Sequence, residues 1–388
     1  MSEPRIVLDA RCLRGAHGGV ATYTAALVAE LPRLLPDVPF TLLRHPDAPA
    51  PLSRAPNVTE RTLGGDPNDP ISHFVLGRLI ERRLGPDDLF HAPYRILPRD
   101  VRSRSVMTLH DMMQVRCPEL VFPDARLRPV LHRWWTYAVR RSLRRAGRII
   151  AVSRHSADDA LEVEPGAADR MRVTLLGVDA AFRPMPPAQS LALSRDVMPE
   201  GARFFLVIGG GYANKNHVTA ALAFARAFRP EDDVHLLVIQ RERTLPPELG
   251  RALAGAGLAA RVHVRGGVSQ EALIGLYNRA EALVFPSLYE GFGLPVLEAM
   301  ASGCPVVASN LTSLPEVTGD AALSCDPRDL DALANALGKI AHEPALRERL
   351  RASGLARAQR FTWERTARET VGVYREIAPW IPAPTPDR

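Results

Sequence analysis

The chain has 388 residues, 46% hydrophobic and 24% charged, with a formal net charge of +6 at pH 7; this length exceeds what one hydrophobic core usually organises, so two domains are expected. No low-complexity tract or short-period repeat is present, and no uncharged apolar run reaches the ~20 residues that a membrane-spanning helix needs. Almost all the positive charge is arginine, with lysine only at Lys215 and Lys339, so the high pI reads as composition, and an isolated lysine in a glycine-rich loop becomes informative.

The opening MSEPRIVLDA runs straight into a strand-like stretch without the long apolar segment and small-residue cleavage site of a signal peptide, so a soluble, cytoplasmic protein is the expectation. Cys12, Cys117, Cys304 and Cys325 are scattered, with no zinc-like spacing, and read as reduced structural residues. RIVLDA is followed by the glycine turn RGAHGG and by VATYTAALVAELPRLL, whose apolar residues recur at helical spacing. PFTLLR, DLFHAP, RSVMTLH and RIIAVS are further strands, separated by stretches long enough for helices. The proline-rich run from Pro184 to Pro187 reads as a linker, after which ARFFLVIGGGYANKNHVTAALAFARAF restarts the strand, glycine loop, helix pattern. HLLVIQ, RVHVRGG, EALVFP, PVVAS and AALSCD continue it.

Strands alternating with helices predict α/β domains built on mostly parallel sheets covered on both faces. The expected organisation is a first domain over 1–184, a linker over 185–200, a second domain over 201–365, and a terminal segment 366–388. That last segment, whose helix is TWERTARETVGVYREIAPW, is expected to pack back on the first domain before a disordered tail, PAPTPDR. In such sheets ligands bind beyond the carboxyl ends of the strands.

The stretch VFPSLYEGFGLPVLEAMASGCPVVAS places Glu290 and Glu298 on either side of a glycine-rich turn. ALVFP is a strand, SLYEGFG a loop, and LPVLEAMAS a short helix with Pro295 in its first turn and Gly303 as its stop. The amides of Gly291, Phe292, Gly293 and Leu294 can serve an anion at the helix amino end. Acids near a helix start are common for dipole reasons alone. A sugar, a diphosphate and a ribose in a row would nevertheless set hydroxyls at both carboxylates and phosphate between them; that object is a nucleotide sugar.

The whole string resembles the E-x7-E signature of retaining glycosyltransferases of the large family 4 type, whose GT-B fold consists of two facing Rossmann-like doubly wound domains with an interdomain cleft. DARCLRGAHGGVATYTAALVAEL, TLHDMMQVRCPEL, RIIAVSRHSADDAL, VTLLGVDAAFRP, the GGGYANKN loop and VRGGVSQEALIGLYNRAEALVFPSLYEGFG extend the resemblance over nearly the whole chain. It implies that Glu290 contacts hydroxyls of the transferred sugar, that Glu298 contacts the ribose, and that the amides of Gly291 to Leu294 serve the sugar and distal phosphate. Lys215, with Gly210 and Gly211 in the same loop, matches the diphosphate-neutralising lysine. Many relatives carry an arginine just before it; here none occurs from Gly209 to Asn214, so either Arg241 or Arg243 supplies the second cation or the chain lacks one. His110 matches a histidine near the donor sugar, with Asp111 a candidate to orient it, and Gly18 and Gly19 match the glycine pair near diphosphate and acceptor. Catalytic roles thus fall on His110, Glu290 and Lys215.

The resemblance further implies transfer of a hexose to a hydroxyl of a glycan or lipid-linked saccharide, with mannose from GDP-mannose the expected donor and UDP-sugars the alternative. A GT-B sugar-nucleotide epimerase and an inactive sugar-nucleotide-binding subunit are the rival classes. No metal-binding DxD stands at a strand end, so no metal or other cofactor is expected. Dehydrogenase and NTPase fingerprints are absent in proper context, and no nucleic-acid partner is expected. The basic stretch 133–148 sets Arg141, Arg144, Arg145 and Arg148 on one side of a helix, which could touch anionic lipid at the inner face of the membrane or simply be solvated; Trp134 and Trp135 read as packing.

Overall fold

The computed structural model describes residues 3–15, 18–70, 72–101, 104–240 and 247–386. The chain divides into two compact units, the first Met1–Gly177 with Thr362–Arg388 and the second Val178–Phe361.

Unit 1 carries β1 (Ile6–Asp9), α1 (Gly19–Leu34), β2 (Phe40–Arg44), β3 (Val58–Thr62), a π turn Ser72–Leu76, α2 (Gly77–Glu81), β4 (Leu89–Ala92) and β5 (Arg104–Leu109). It continues with α3 (Met113–Arg116), α4 (Pro118–Val121), α5 (Arg128–Arg145), β6 (Arg148–Ala151), α6 (Arg154–Val163) and β7 (Met171–Val173). Its seven strands are parallel in the order β3-β2-β1-β4-β5-β6-β7. Central strands such as β1 and β4 are buried along their whole length, because helices cover both faces of a parallel sheet. β3, VTERT, is the polar edge strand.

Unit 2 carries α7 (Pro187–Ser194), β8 (Phe204–Ile208), α8 (His217–Ala227), β9 (His235–Ile239), α9 (Pro247–Gly255), β10 (Val262–Arg265), α10 (Gln270–Arg279) and β11 (Ala282–Phe285). α11 (Leu294–Ala301), β12 (Val306–Ser309), α12 (Leu314–Thr318), β13 (Leu323–Cys325), α13 (Leu330–His342) and α14 (Pro344–Ala358) complete it. Its six parallel strands run β10-β9-β8-β11-β12-β13. In both sheets the chain reverses direction once, between β1 and β4 and between β8 and β11. Loops leaving such neighbours diverge and open a crevice at the carboxyl ends.

The segment read as a linker is not extended. Pro187 occupies the first turn of α7, where its missing N–H costs nothing, and α7 packs on α10 at Gly275, where an added Cβ would lie 2.7 Å from the Ser190 carbonyl. The proline cluster marks a helix start inside unit 2.

The terminal helix, α15 (Trp363–Arg375), is capped by Thr362, whose side chain accepts from the Arg365 amide, and belongs to unit 1. A buried polar chain joins it to the sheet. The Tyr374 hydroxyl lies 2.6 Å from His91 Nδ1, His91 Nε2 lies 2.8 Å from Thr108 Oγ1, and Thr108 Oγ1 lies 2.9 Å from the Tyr23 hydroxyl. Burial pushes His91 down to about 3, so the ring is neutral and accepts at one nitrogen while donating at the other.

Candidate active site

Lys215 follows β8 and Glu290 follows β11, the two strands that flank the reversal point of the second sheet. Two asparagines stitch their loops together. Asn214 Nδ2 donates to the Tyr289 carbonyl at 3.0 Å, its own carbonyl accepts from the Leu288 amide at 2.7 Å, and Asn216 Nδ2 donates to the Pro286 and Pro327 carbonyls at 3.1 and 2.9 Å. Asn216 takes a left-handed conformation, φ 55°, which asparagine tolerates better than most residues. Gly211 in the same loop has φ 78°, a conformation open mainly to glycine.

The stitched loops bring Lys215 Nζ to 2.7 Å from Glu290 Oε1, with the side chains only 18% and 11% exposed. The ammonium also lies over the Phe285 ring, 5.1 Å from its centroid. A cation and an acid drawn from loops 75 residues apart therefore form one neutral pair.

The backbone around Glu290 is held from the β12–α12 connection. The Glu290 amide donates to Thr312 Oγ1 at 3.1 Å, and Ser313 Oγ donates to the carbonyls of Glu290 and Phe292 at 2.9 and 3.0 Å. Gly293 caps α11 with φ +109°, and an added Cβ there would sit 2.5 Å from Leu314 Cδ2. Phe292 buries its ring 6.1 Å from that of Phe361, which leaves backbone as the loop's chemical surface. The amide of Leu294, the first residue of α11, has no acceptor within the helix.

Glu298 lies in the second turn of α11, where it accepts from the Tyr277 hydroxyl at 3.1 Å. Burial pushes its carboxyl up to about 7, a shift that the Tyr277 hydrogen bond opposes and the negative charge of Asp179 reinforces. Tyr277 is itself fully buried, and burial together with Glu298 holds it protonated far above its ordinary range. Glu298 is thus a partly protonated acid near neutral pH, poised to ionise where a ligand supplies hydroxyl donors.

In unit 1, Gly18 and Gly19 form the amino end of α1, beyond β1, and the Gly18 carbonyl accepts from the Thr22 amide at 3.0 Å. His110 follows β5 and is buried. Its Nε2 lies 3.0 Å from the Pro93 carbonyl, an obligate acceptor, so Nε2 carries the proton and Nδ1 remains an acceptor. Burial pushes His110 down to about 4, and the Tyr23 ring meets it edge-on at 5.1 Å.

Asp111 does not orient this imidazole. Its oxygens take both terminal nitrogens of Arg95 at 3.0 Å and accept from the Met113 amide at 3.0 Å. A bidentate guanidinium is the stronger partner for a carboxylate.

The basic stretch also departs from expectation. α5 ends at Arg145, and Arg148 is the first residue of β6, where it pairs with Glu376 at 2.7 Å. Ala146 leaves the helix in an extended conformation, which ends the periodicity on which a single arginine face depended. Arg144 pairs with Glu164 at 2.6 Å and Arg141 donates to the Arg99 carbonyl at 2.7 Å. Arg241 and Arg243, the candidate second cations, lie outside the described residues. Among the described residues no group of three or more His, Cys, Asp or Glu side chains is arranged to hold a metal, and no helix is long and apolar enough to cross a membrane.

Tyr277, Phe285, Thr312, Ser313 and the two asparagines were not legible as site residues. Only the SNLTS cluster after a strand carried a turn signal that could have pointed to Thr312 and Ser313.

Comparison with known proteins bears on both units. The model of Glycosyltransferase Family 4 matches residues 17–182, and that of Glycosyl transferases group 1 matches residues 194–357. The chain is 33% identical to O-antigen chain mannosyltransferase B of Escherichia coli over 290 residues, 74% of this chain and 74% of the relative. It is 35% identical to MMP alpha-(1->4)-mannosyltransferase of Mycolicibacterium hassiacum over 64% of this chain and 59% of the relative. Among solved structures, sucrose-phosphate synthase from Thermosynechococcus elongatus superposes with a TM-score of 0.75 over 97% of this chain and 99% of that chain at 22% identity, a likeness of fold.

Proposed function

This chain belongs to glycosyltransferase family 4 and has the GT-B fold, and from that premise we propose that it transfers mannose from GDP-mannose to a hydroxyl of a glycan or lipid-linked saccharide, with retention of configuration and without a metal. The observation that carries the donor site is the Lys215–Glu290 pair at 2.7 Å, set beside the amino end of α11 with Glu298 further along the same helix. The choice of mannose rests on the two mannosyltransferase relatives.

In the proposed reaction the diphosphate takes the Lys215 ammonium, and a sugar hydroxyl replaces that ammonium on Glu290. As the glycosidic bond lengthens, charge accumulates on the leaving phosphate, and Lys215 with the amides of residues 291 to 294 stabilises it. Glu290, then occupied by a sugar hydroxyl, is assigned to binding and not to nucleophilic attack, which leaves same-face attack in which the leaving phosphate helps take the acceptor's proton. Glu298 is given the ribose diol. For unit 1 the proposal assigns His110 to the donor sugar, with Nδ1 free of the Pro93 bond, and Gly18 and Gly19 to diphosphate and acceptor.

Calorimetry with GDP and UDP, followed by turnover assays with GDP-mannose and UDP-hexoses in EDTA, tests this reading. GDP binding and mannose transfer unaffected by EDTA are expected. Turnover of a UDP-hexose alone would reject the donor assignment, and loss of activity in EDTA would reject metal independence.

A further inference from the structure

Eight large apolar side chains are exposed among the described residues, and six of them fall on two adjoining segments of unit 1: Phe74, Val75 and Leu79 at 38–60%, and Leu127, Val130 and Tyr137 at 47–68%. Chance scatter would not concentrate them so. α5 explains half of the pattern. Its inner face buries Ala138, Val139, Ser142 and Leu143, whereas Val130, Trp134 and Tyr137 recur at helical spacing along another face, which begins at Leu127 just before the helix. The two segments meet through rings, Phe74 with Trp134 at 5.6 Å and Trp134 with Tyr137 at 6.2 Å.

Positive charge surrounds this apolar face. Residues 125 to 148 contain eight arginines and no acid. Arg99 lies over the Phe74 ring at 5.4 Å, and among the described residues neither it nor Arg126, Arg133 or Arg145 has a carboxylate partner. The first half of α5 is also tied to the segment that follows His110, by the His132 ring on the Val115 carbonyl at 3.0 Å, and to the segment that follows β4, by Arg95 over Trp135 at 5.6 Å. The face therefore flanks the carboxyl-end rim of the first sheet.

We propose that this face seats unit 1 on the surface of an anionic bilayer, with its aromatic and aliphatic side chains at headgroup depth and the surrounding arginines on lipid phosphates. Tryptophan, tyrosine and arginine around a shallow apolar strip match the chemistry of that interface. A second copy of the chain is a poorer occupant, because apposing two such faces would bring arginine against arginine. The docked rim would face acceptors held in the membrane. This differs from the surface expected from the sequence, since Arg144 and Arg148 are engaged within the fold.

The test uses the full chain in co-sedimentation with vesicles of phosphatidylcholine alone and of phosphatidylcholine with phosphatidylglycerol, at low and high salt. The expected result is binding to the anionic vesicles only, weakened by salt, and reduced at least about tenfold by the double change Leu127→Glu with Val130→Glu. Both positions are solvent-exposed, so an unchanged melting temperature and GDP affinity should accompany that loss. No binding to anionic vesicles, equal binding to neutral vesicles, or binding by the double variant equal to that of the parent would each overturn the proposal. So would a dimer in light scattering that the double variant dissociates, which would assign the face to a second copy. Vesicle binding is read without any transfer reaction, so its failure is distinct from failure of the donor assignment.

Discussion

Replacing Glu298 by glutamine separates the two things that its environment does. The carboxyl is raised from its ordinary 4.5 to about 7, chiefly by burial, which corresponds to about 3 kcal/mol disfavouring the ionised form in the folded protein. A group whose folded value lies above its unfolded value contributes fully below the unfolded value, and that contribution is lost as pH rises through the folded one. The penalty is therefore absent below about pH 4.5 and complete above about pH 7. Glutamine can still accept the Tyr277 hydrogen bond but never ionises. Glu298→Gln should thus raise the melting temperature at pH 8 by up to about 6–12 °C, on the scale of 2–4 °C per kcal/mol for a domain of this size, with no gain near pH 4.5. Its effect on the ligand runs the other way. Loss of a charged acceptor for the ribose diol should weaken GDP binding about 10- to 100-fold. Parent affinity should rise about tenfold from pH 6 to pH 8 as the carboxylate forms, while the variant stays flat. Differential scanning calorimetry and isothermal titration at several pH values measure both effects. Equal melting temperatures at pH 8 together with equal GDP affinities would refute both the buried-acid argument and the ribose assignment.

Three further outcomes follow from particular contacts. Glu290→Ala frees the Lys215 ammonium and should lower kcat by about 10²-fold or more with little change in GDP affinity; a purely affinity-based defect, read from steady-state kinetics and calorimetry, would contradict its placement at the sugar. Gly293→Ala forces a Cβ into a φ of +109° at 2.5 Å from Leu314 Cδ2, so nucleotide binding should fall sharply even where circular dichroism shows a folded protein. Tyr374→Phe leaves His91 Nδ1 buried without its 2.6 Å partner and should destabilise unit 1 by about 1–3 kcal/mol, seen as a lower urea midpoint with GDP affinity unchanged.

The parallel α/β architecture was legible because its signals are local. Apolar runs such as IVLD and FFLVI have the length of strands buried on both faces, and the glycine and helical spacing that follow each one mark it as a strand. VTERT was missed as β3 because an edge strand need not be apolar, and α7 because its prolines imitate a linker while one of them starts the helix. The candidate site divides along the same line. Glu290, Gly293 and Glu298 belong to one strand, turn and helix, so their spacing alone suggested polyols on either side of an anion. What balances those acids depends on strand order. Lys215 reaches Glu290 because β8 and β11 are neighbours, and Tyr277 reaches Glu298 because α10 precedes β11 and packs beside α11. Asp111 shows the reverse case: adjacency in sequence suggested a partner for His110, yet the end of β4 supplies both the Pro93 carbonyl that holds the imidazole and the Arg95 that claims the carboxylate. Side-chain identity at a strand end therefore indicates which chemistry is on hand, while the order of strands in the sheet decides which charges meet. That is why the ionisation of Glu298, set by neighbours remote in sequence, is the sharper test of the site than the motif that first drew attention to it.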